Sequence, residues 1–197
     1  MSSKGKKLAS AVGGAVKKVD HSRPLRTYIP AGKAVAGPPL GPQLGQRGVN
    51  IAAFVKEFNE RTKDYKESVP IPCKISLKAD RSFDLVMNAP PLSYFLKQAA
   101  GIQRGSMLPS KEVAGMITLK HVYEIAKIKS QDPSLSILPL EKICQDVIDS
   151  ARTIGIKVVK NLDAEEYREF LEQRKIVVEA QLQELKEKKE AKMLRTG

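Results

Sequence analysis

The chain has 197 residues, a formal net charge of +12 and a pI near 9.7, with 42% hydrophobic residues, 5% aromatics and no tryptophan. That balance fits one domain or two small aliphatic cores facing a polyanion, and it excludes a large aromatic-rich core. No apolar run is long enough to cross a membrane, and two histidines with two distant cysteines, Cys73 and Cys144, make neither a metal set nor a disulfide framework. The cysteines read as buried thiols of a reducing compartment.

Residues 1–37 carry eight Lys/Arg against one acid, Asp20. Leu8, Val12, Val16 and Val19 fall on one helical face of this Lys/Ser/Ala-rich arm. It reads as an organelle-targeting peptide or as a basic arm that touches RNA, and one segment could serve as both. From about Leu25 to Ala31 a short strand is expected, with Pro30 marking an edge or a bulge.

Next comes Ala36-Gly-Pro-Pro-Leu-Gly-Pro-Gln-Leu-Gly-Gln-Arg-Gly-Val-Asn-Ile51. Its prolines fix φ and its glycines allow close backbone approach, so the segment is a stiff, exposed turn or one-turn helix. Only Arg47 is charged and nothing in it is a nucleophile, so its value lies in shape. Asn50 suits the N-cap of a helix from Ile51 to about Arg61, with Ile51, Phe54, Val55 and Phe58 on one face. Ile71, Cys73, Ile75, Leu77 and Ala79 then alternate with polar residues, as do Phe83, Leu85 and Met87. That pattern is a hairpin with one buried face.

At Asn88-Ala-Pro-Pro91 the period switches from two to 3.6, and consecutive prolines form a semi-rigid hinge. The remainder reads as all-helical. One helix covers Leu92 to Ala99, and a polar loop with Arg104 and Lys111 but no acid follows from Gly101 to Lys111. Thr118 caps a second helix with Leu119, Val122, Tyr123 and Ala126 on its face. A third presents Leu140, Ile143, Cys144, Val147, Ala151 and Ile154, closed by Gly155. Ile156 to Val159 is a short extended end. Asp163-Ala-Glu-Glu166 is a capping box that starts a charged helix to about Leu194, whose sparse stripe is Tyr167, Leu171, Val178, Leu182 and Leu185. Too few apolar residues support a core there, which leaves a solvated helix or one docked on a neighbouring protein.

Chemistry has few footholds. His121 reads as a surface or satisfied helix residue, not a base. Gly41 to Gly45 has the wrong spacing for a phosphate loop, and its prolines remove the N–H donors such a loop needs. RNA is the better partner. A-form RNA is met through phosphates and 2′-hydroxyls, and Ser150-Ala-Arg-Thr153 offers small residues, hydroxyls and a cation, although by spacing alone an ordinary helix surface is an equal reading. The division expected is a basic arm at 1–22, an α/β domain at 23–88, a proline hinge at 89–91, a helical RNA-binding domain at 92–160 and a charged helical extension at 161–197.

Several motifs, in order, resemble the eleventh large-subunit ribosomal protein family. They are Gly37-Pro-Pro-Leu-Gly-Pro-Gln-Leu-Gly45 with Gly48-Val-Asn-Ile51, Phe58-Asn59, Pro70-Ile-Pro72, Ala79-Asp-Arg-Ser-Phe83, Pro90-Pro91, Lys97-Gln-Ala-Ala-Gly-Ile102 and Ser150-Ala-Arg-Thr-Ile-Gly155. The resemblance implies an α+β chain of two small domains, the first with a short antiparallel sheet and the second a three-helix, homeodomain-like unit. It implies no catalysis, no cofactor, no metal, no membrane and no homo-oligomer.

By the same resemblance, Lys97, Gly101, Arg104, Lys111, Thr118, Ser150, Ala151, Arg152, Thr153 and Gly155 would meet large-subunit rRNA at the GTPase-associated centre. Pro38, Pro39, Gly41, Pro42, Gly45, Gln46, Arg47 and Asn50 would face translational GTPases and the stalk-base protein. The arm, the charged extension and the segment Gly115–Lys129 resemble the mitochondrial branch, implying a mitochondrial large subunit in the matrix. Asp149 stands where the family commonly has glycine, and is expected to face solvent or pair with Arg152. The reading from another class is a helix-turn-helix-like DNA-binding regulator, for which Gln145 and Arg152 are available but no dimer seam is evident.

Overall fold

Alternating apolar residues build the first layer. In the computed structural model, which describes residues 23–78 and 82–194, β1 (Leu25–Pro30), β2 (Pro70–Leu77) and β3 (Phe83–Met87) form an antiparallel sheet in the order β1-β2-β3. The basic arm at 1–22, residues 79–81 of the motif ending at Phe83, and residues 195–197 lie outside the described residues. Thr27 faces Cys73, and Ile75 faces Leu85. Pro30 pairs with Pro70 at the ladder's end on an edge strand, where a missing N–H costs least.

Ile71, Cys73 and Ile75 turn one face of the sheet inward. Helix α2 (Ile51–Arg61) covers that face with Phe54 and Phe58, both fully buried, and burial of such a ring stabilises by about 1.5–3 kcal/mol. The Asn50 side chain accepts from the Ala53 N–H at 3.3 Å and starts the helix as expected. Short α1 (Leu40–Gly45) is pinned beneath the proline-rich segment by buried Leu40 and Leu44.

Motif residue Asn59 has a defined task. Its amide accepts from the Ala34 N–H at 3.1 Å and donates to the Ala34 carbonyl at 3.2 Å, while Thr62 Oγ1 takes the Gly32 N–H at 3.1 Å. The loop leading into the prolines is thereby tied to α2.

The chain passes between two cores within one peptide. The Asn88 N–H donates to the Pro72 carbonyl at 3.0 Å and completes the sheet. The next residue, Ala89, is held from the other side. Its N–H donates to Asp132 Oδ1 at 2.6 Å, and its carbonyl accepts from Lys129 Nζ at 3.2 Å. Lys129 and Asp132 pair with each other, and both are buried. The expected proline hinge is therefore gripped by a buried ion pair that periodicity did not reveal.

Beyond it stand α3 (Leu92–Ala99), β4 (Gly115–Thr118), α4 (Leu119–Lys129), α5 (Leu140–Ile154), β5 (Ile156–Val159) and α6 (Ala164–Leu194). Three helices pack Leu96, Val122, Ile125, Ile143, Val147 and Ala151 into a second core. Two expectations need correction. This half is not all-helical, because β4 and β5 pair in parallel with Gly115 opposite Ile156. Four-residue strands carry no readable alternation, and a parallel pair needs a long crossover, which α4 and α5 supply. In α4 the buried residues are Val122, Ile125, Ala126 and Lys129, whereas Leu119 and Tyr123 are about half exposed. The buried face is the one that puts Val122, Ile125 and Ala126 into the second core, and Lys129 on that face reaches the Ala89 carbonyl.

Removing one partner of a buried ion pair leaves the other charge uncompensated. Asp132→Ala is expected to lower unfolding free energy by about 3–5 kcal/mol in urea titrations. A loss comparable to that of an exposed pair, such as Lys142–Asp146 at the surface, would contradict the grip described.

Candidate nucleic-acid interface

Two separate parts of the sequence meet at the end of α5. The helix stops at Gly155, whose φ of +81 is left-handed, and a Cβ there would sit 2.5 Å from the Ser106 Cβ and 3.1 Å from the Glu112 carbonyl oxygen. The loop between α3 and β4 closes on this point. The Ser106 N–H donates to the Ile154 carbonyl at 2.9 Å, and the Ala114 N–H donates to the Gly155 carbonyl at 2.7 Å. Gly105 lies so close to Ile154 that a Cβ would meet its Cγ2 at 2.8 Å. The segment that carries Arg104 and Lys111 is thus held by its backbone to the helix end that carries Ser150, Arg152 and Thr153.

Not all the expected contact residues are presented alike. Arg152 and Thr153 are exposed and Ser150 is half-buried, while Ala151 is fully buried in the core. Ala151 therefore packs, and its smallness lets α5 approach its neighbours. The hydroxyls are used locally: Ser150 Oγ donates to the Asp146 carbonyl at 2.7 Å and Thr153 Oγ1 to that of Ser150 at 2.8 Å. Each oxygen keeps acceptor capacity for an incoming group.

Lys111 is exposed, and Lys97 lies half-buried in the last turn of α3. Gly101, with φ +62, turns the chain out of that helix. Arg104 is half-buried. Thr118 stands apart, about 10 Å along β4 from Gly115. Its backbone N–H donates to His121 Nδ1 at 3.2 Å, and its hydroxyl lies 3.1 Å from the same nitrogen. Both residues are engaged in capping α4. Asp149 is exposed and accepts from Gln145 Nε2 at 3.2 Å; its partner is Gln145 and not Arg152.

On the first core, Pro38, Pro39, Pro42, Gly45 and Gln46 are exposed. Gly41 is buried, where a Cβ would collide with the Ala36 carbonyl. Arg47 is half-buried, with Nη1 donating to the Arg23 carbonyl at 2.5 Å, and Asn50 is the cap of α2. The outward surface is therefore proline and Gln46, while Gly41, Arg47 and Asn50 hold its shape. Burial pushes the Cys73 thiol up to about 12, which keeps it protonated and unreactive at neutral pH.

Residues 25–83 match the family described as ribosomal protein L11, N-terminal domain, and residues 88–158 match ribosomal protein L11, RNA binding domain. The chain belongs to the ribosomal protein L11 family. It is 62% identical over 182 residues to the large ribosomal subunit protein uL11m of Drosophila melanogaster, covering 92% of this chain and 93% of that one. A protein of the same name from Caenorhabditis elegans is 53% identical over 180 residues, covering 91% and 92%. The Schizosaccharomyces pombe protein is 42% identical over 135 residues, covering 68% and 94%.

In this family member one site residue escaped the sequence reading. Glu112 follows an acid-free loop and looks like an ordinary surface acid. Its carboxylate instead accepts from Ser106 Oγ at 3.0 Å, the Met107 N–H at 3.1 Å and Gln181 Nε2 at 2.7 Å, and it pairs with Arg174. The only signal was its place after the last loop cation, which is too weak to act on.

Burial pushes the Glu112 carboxyl up, but hydrogen bonds from Arg174, Gln181, Ser106 and the Met107 N–H outweigh it and bring the group to about 2. A depressed folded value gives stability that is present above the ordinary value of 4.5 and lost as pH falls toward 2. The loop should therefore loosen between those limits, as read by loop and α6 resonances in NMR titration. Glu112→Gln should show the loosened signals already at pH 7 and remove the transition. A transition unchanged in that variant would assign it to another acid.

Proposed function

We propose that this chain is a non-catalytic structural constituent of the mitochondrial large ribosomal subunit, where it binds large-subunit rRNA at the GTPase-associated centre. One observation carries this reading. The loop that carries Arg104 and Lys111 is held by its backbone to the Ser150–Gly155 end of α5, which supports a basic surface drawn from distant parts of the sequence. Residues 90–160 hold ten Lys/Arg against six Asp/Glu, which suits a phosphate backbone. The basic arm, the charged extension and the extensive identity with the fly protein support the mitochondrial placement.

The proline face has a different task. Pro38, Pro39 and Pro42 are exposed, nearly uncharged and anchored from beneath by Leu40 and Leu44. A stiff surface of this kind suits transient protein contact, which costs little ordering entropy when the shape is already set. Translational GTPases and the stalk-base protein are the partners it fits. The ion-pair grip on Ala89 sets how that face stands relative to the RNA-binding side.

Filter binding of the full chain to the rRNA fragment tests the division. Arg152→Ala should weaken binding and reduce the salt slope by about one ion contact. Replacing both Pro38 and Pro39 by Ala should leave rRNA affinity nearly intact while lowering factor-stimulated GTP hydrolysis on assembled subunits. Collapse of rRNA binding with an intact factor response in the proline variant would reverse the assignment of the two faces.

A further inference from the structure

Helix α6 lies beyond residue 158, where the family matches stop. Its sequence suggested a solvated helix or one docked on a neighbouring protein. The structure instead seats its first half on the RNA-facing loop of its own chain, through residues seven apart: Tyr167, Arg174 and Gln181. Seven residues bring a helix back almost to the same face, so the three form one line about 21 Å long. Past Gln181 the described part of the helix is exposed.

What that line touches is specific. The Tyr167 hydroxyl donates to the Ala100 carbonyl at 2.5 Å and accepts from the Met116 N–H at 3.2 Å. Ala100 and Met116 are the two ends of the loop, so one hydroxyl ties its mouth shut. Burial raises the Tyr167 pKa, partly offset by the Met116 N–H, and keeps the hydroxyl a donor at neutral pH. Gly115 leaves room for this contact, since a Cβ there would lie 3.2 Å from the Tyr167 oxygen. Arg174 and Gln181 hold Glu112, which in turn gathers Ser106 and Met107 from the middle of the loop.

We infer that α6 is a built-in splint for the RNA-binding loop, with Tyr167, Arg174 and Gln181 as positioning residues for rRNA recognition. It acts in two ways. A segment of this length without strand or helix of its own would lose much entropy on meeting RNA, and the splint removes that cost beforehand. It also neutralises the one carboxylate of residues 101–114: with Arg174 seated on Glu112, Arg104 and Lys111 set the sign of the loop's own field.

This inference rests on the proposed reading that the loop faces rRNA, and the experiment separates the two. Full-length chain, a form ending at residue 162, Tyr167→Phe, Arg174→Met and the double Arg174→Met/Glu112→Gln would be compared for rRNA affinity and for amide exchange of residues 101–114. Truncation should cost about tenfold or more in affinity and speed exchange in the loop while the two cores stay protected. Tyr167→Phe should do the same more mildly. Arg174→Met should weaken binding most at low salt, and adding Glu112→Gln should remove that salt-dependent part of the loss while loop exchange stays fast, a split that a merely structural role would not give.

Unchanged affinity in both the truncated form and Tyr167→Phe, or faster loop exchange with unchanged affinity, would overturn the splint. If the truncated form fails to fold, the point variants decide. Arg104→Ala and Lys111→Ala with α6 intact test the site itself: if neither weakens binding, the loop does not face rRNA and the site reading is what fails.

Discussion

At Gly155 the backbone turns through a left-handed conformation with no Cβ in the way, and four parts of the second half converge there. Helix α5 ends, β5 leaves to pair with β4, the loop at Gly105 and Ser106 packs against Ile154, and the chain at Glu112 passes within van der Waals reach. Any side chain at this position would have to displace Ser106 and the Glu112 carbonyl together. That close approach holds the backbone carrying Arg104 and Lys111 to the helix end carrying Arg152, and this is what supports the proposed basic surface.

Elements with strong local periodicity could be read from the sequence. The limits of α2 and α3, the Asn50 cap, the β2–β3 hairpin and the left-handed Gly155 were all expected, since each is set by neighbours within a few residues. Contacts carried by polar groups across long separations escaped. Lys129 and Asp132 look like surface residues of a charged helix end, yet they are buried around Ala89, 40 and 43 residues away. Arg174 and Gln181 broke the apolar stripe of α6 and therefore hid its docking face. The β4–β5 pair was missed for a related reason: four residues are too few to show a period, and the pairing is defined only when α4 and α5 bring the strands together.

The same polar contacts explain how a chain with two small cores supports irregular functional surfaces. Asn59 and Thr62 tie down the approach to the prolines, and Glu112 with Tyr167 ties down the loop between α3 and β4. Each device fixes backbone through groups that also satisfy buried donors and acceptors, so rigidity is obtained without further apolar area. Asp149 is exposed and bonded to Gln145, so its carboxylate is solvated and not buried against the core.

Ultraviolet cross-linking of the full chain within the assembled large subunit, with the linked residues located by mass spectrometry, tests the central claim most directly. The account predicts rRNA cross-links concentrated in residues 101–111 and 150–153, with none on the exposed proline face at Pro38, Pro39 and Pro42. Cross-links concentrated on the first core, with the loop and the end of α5 unlinked, would contradict it.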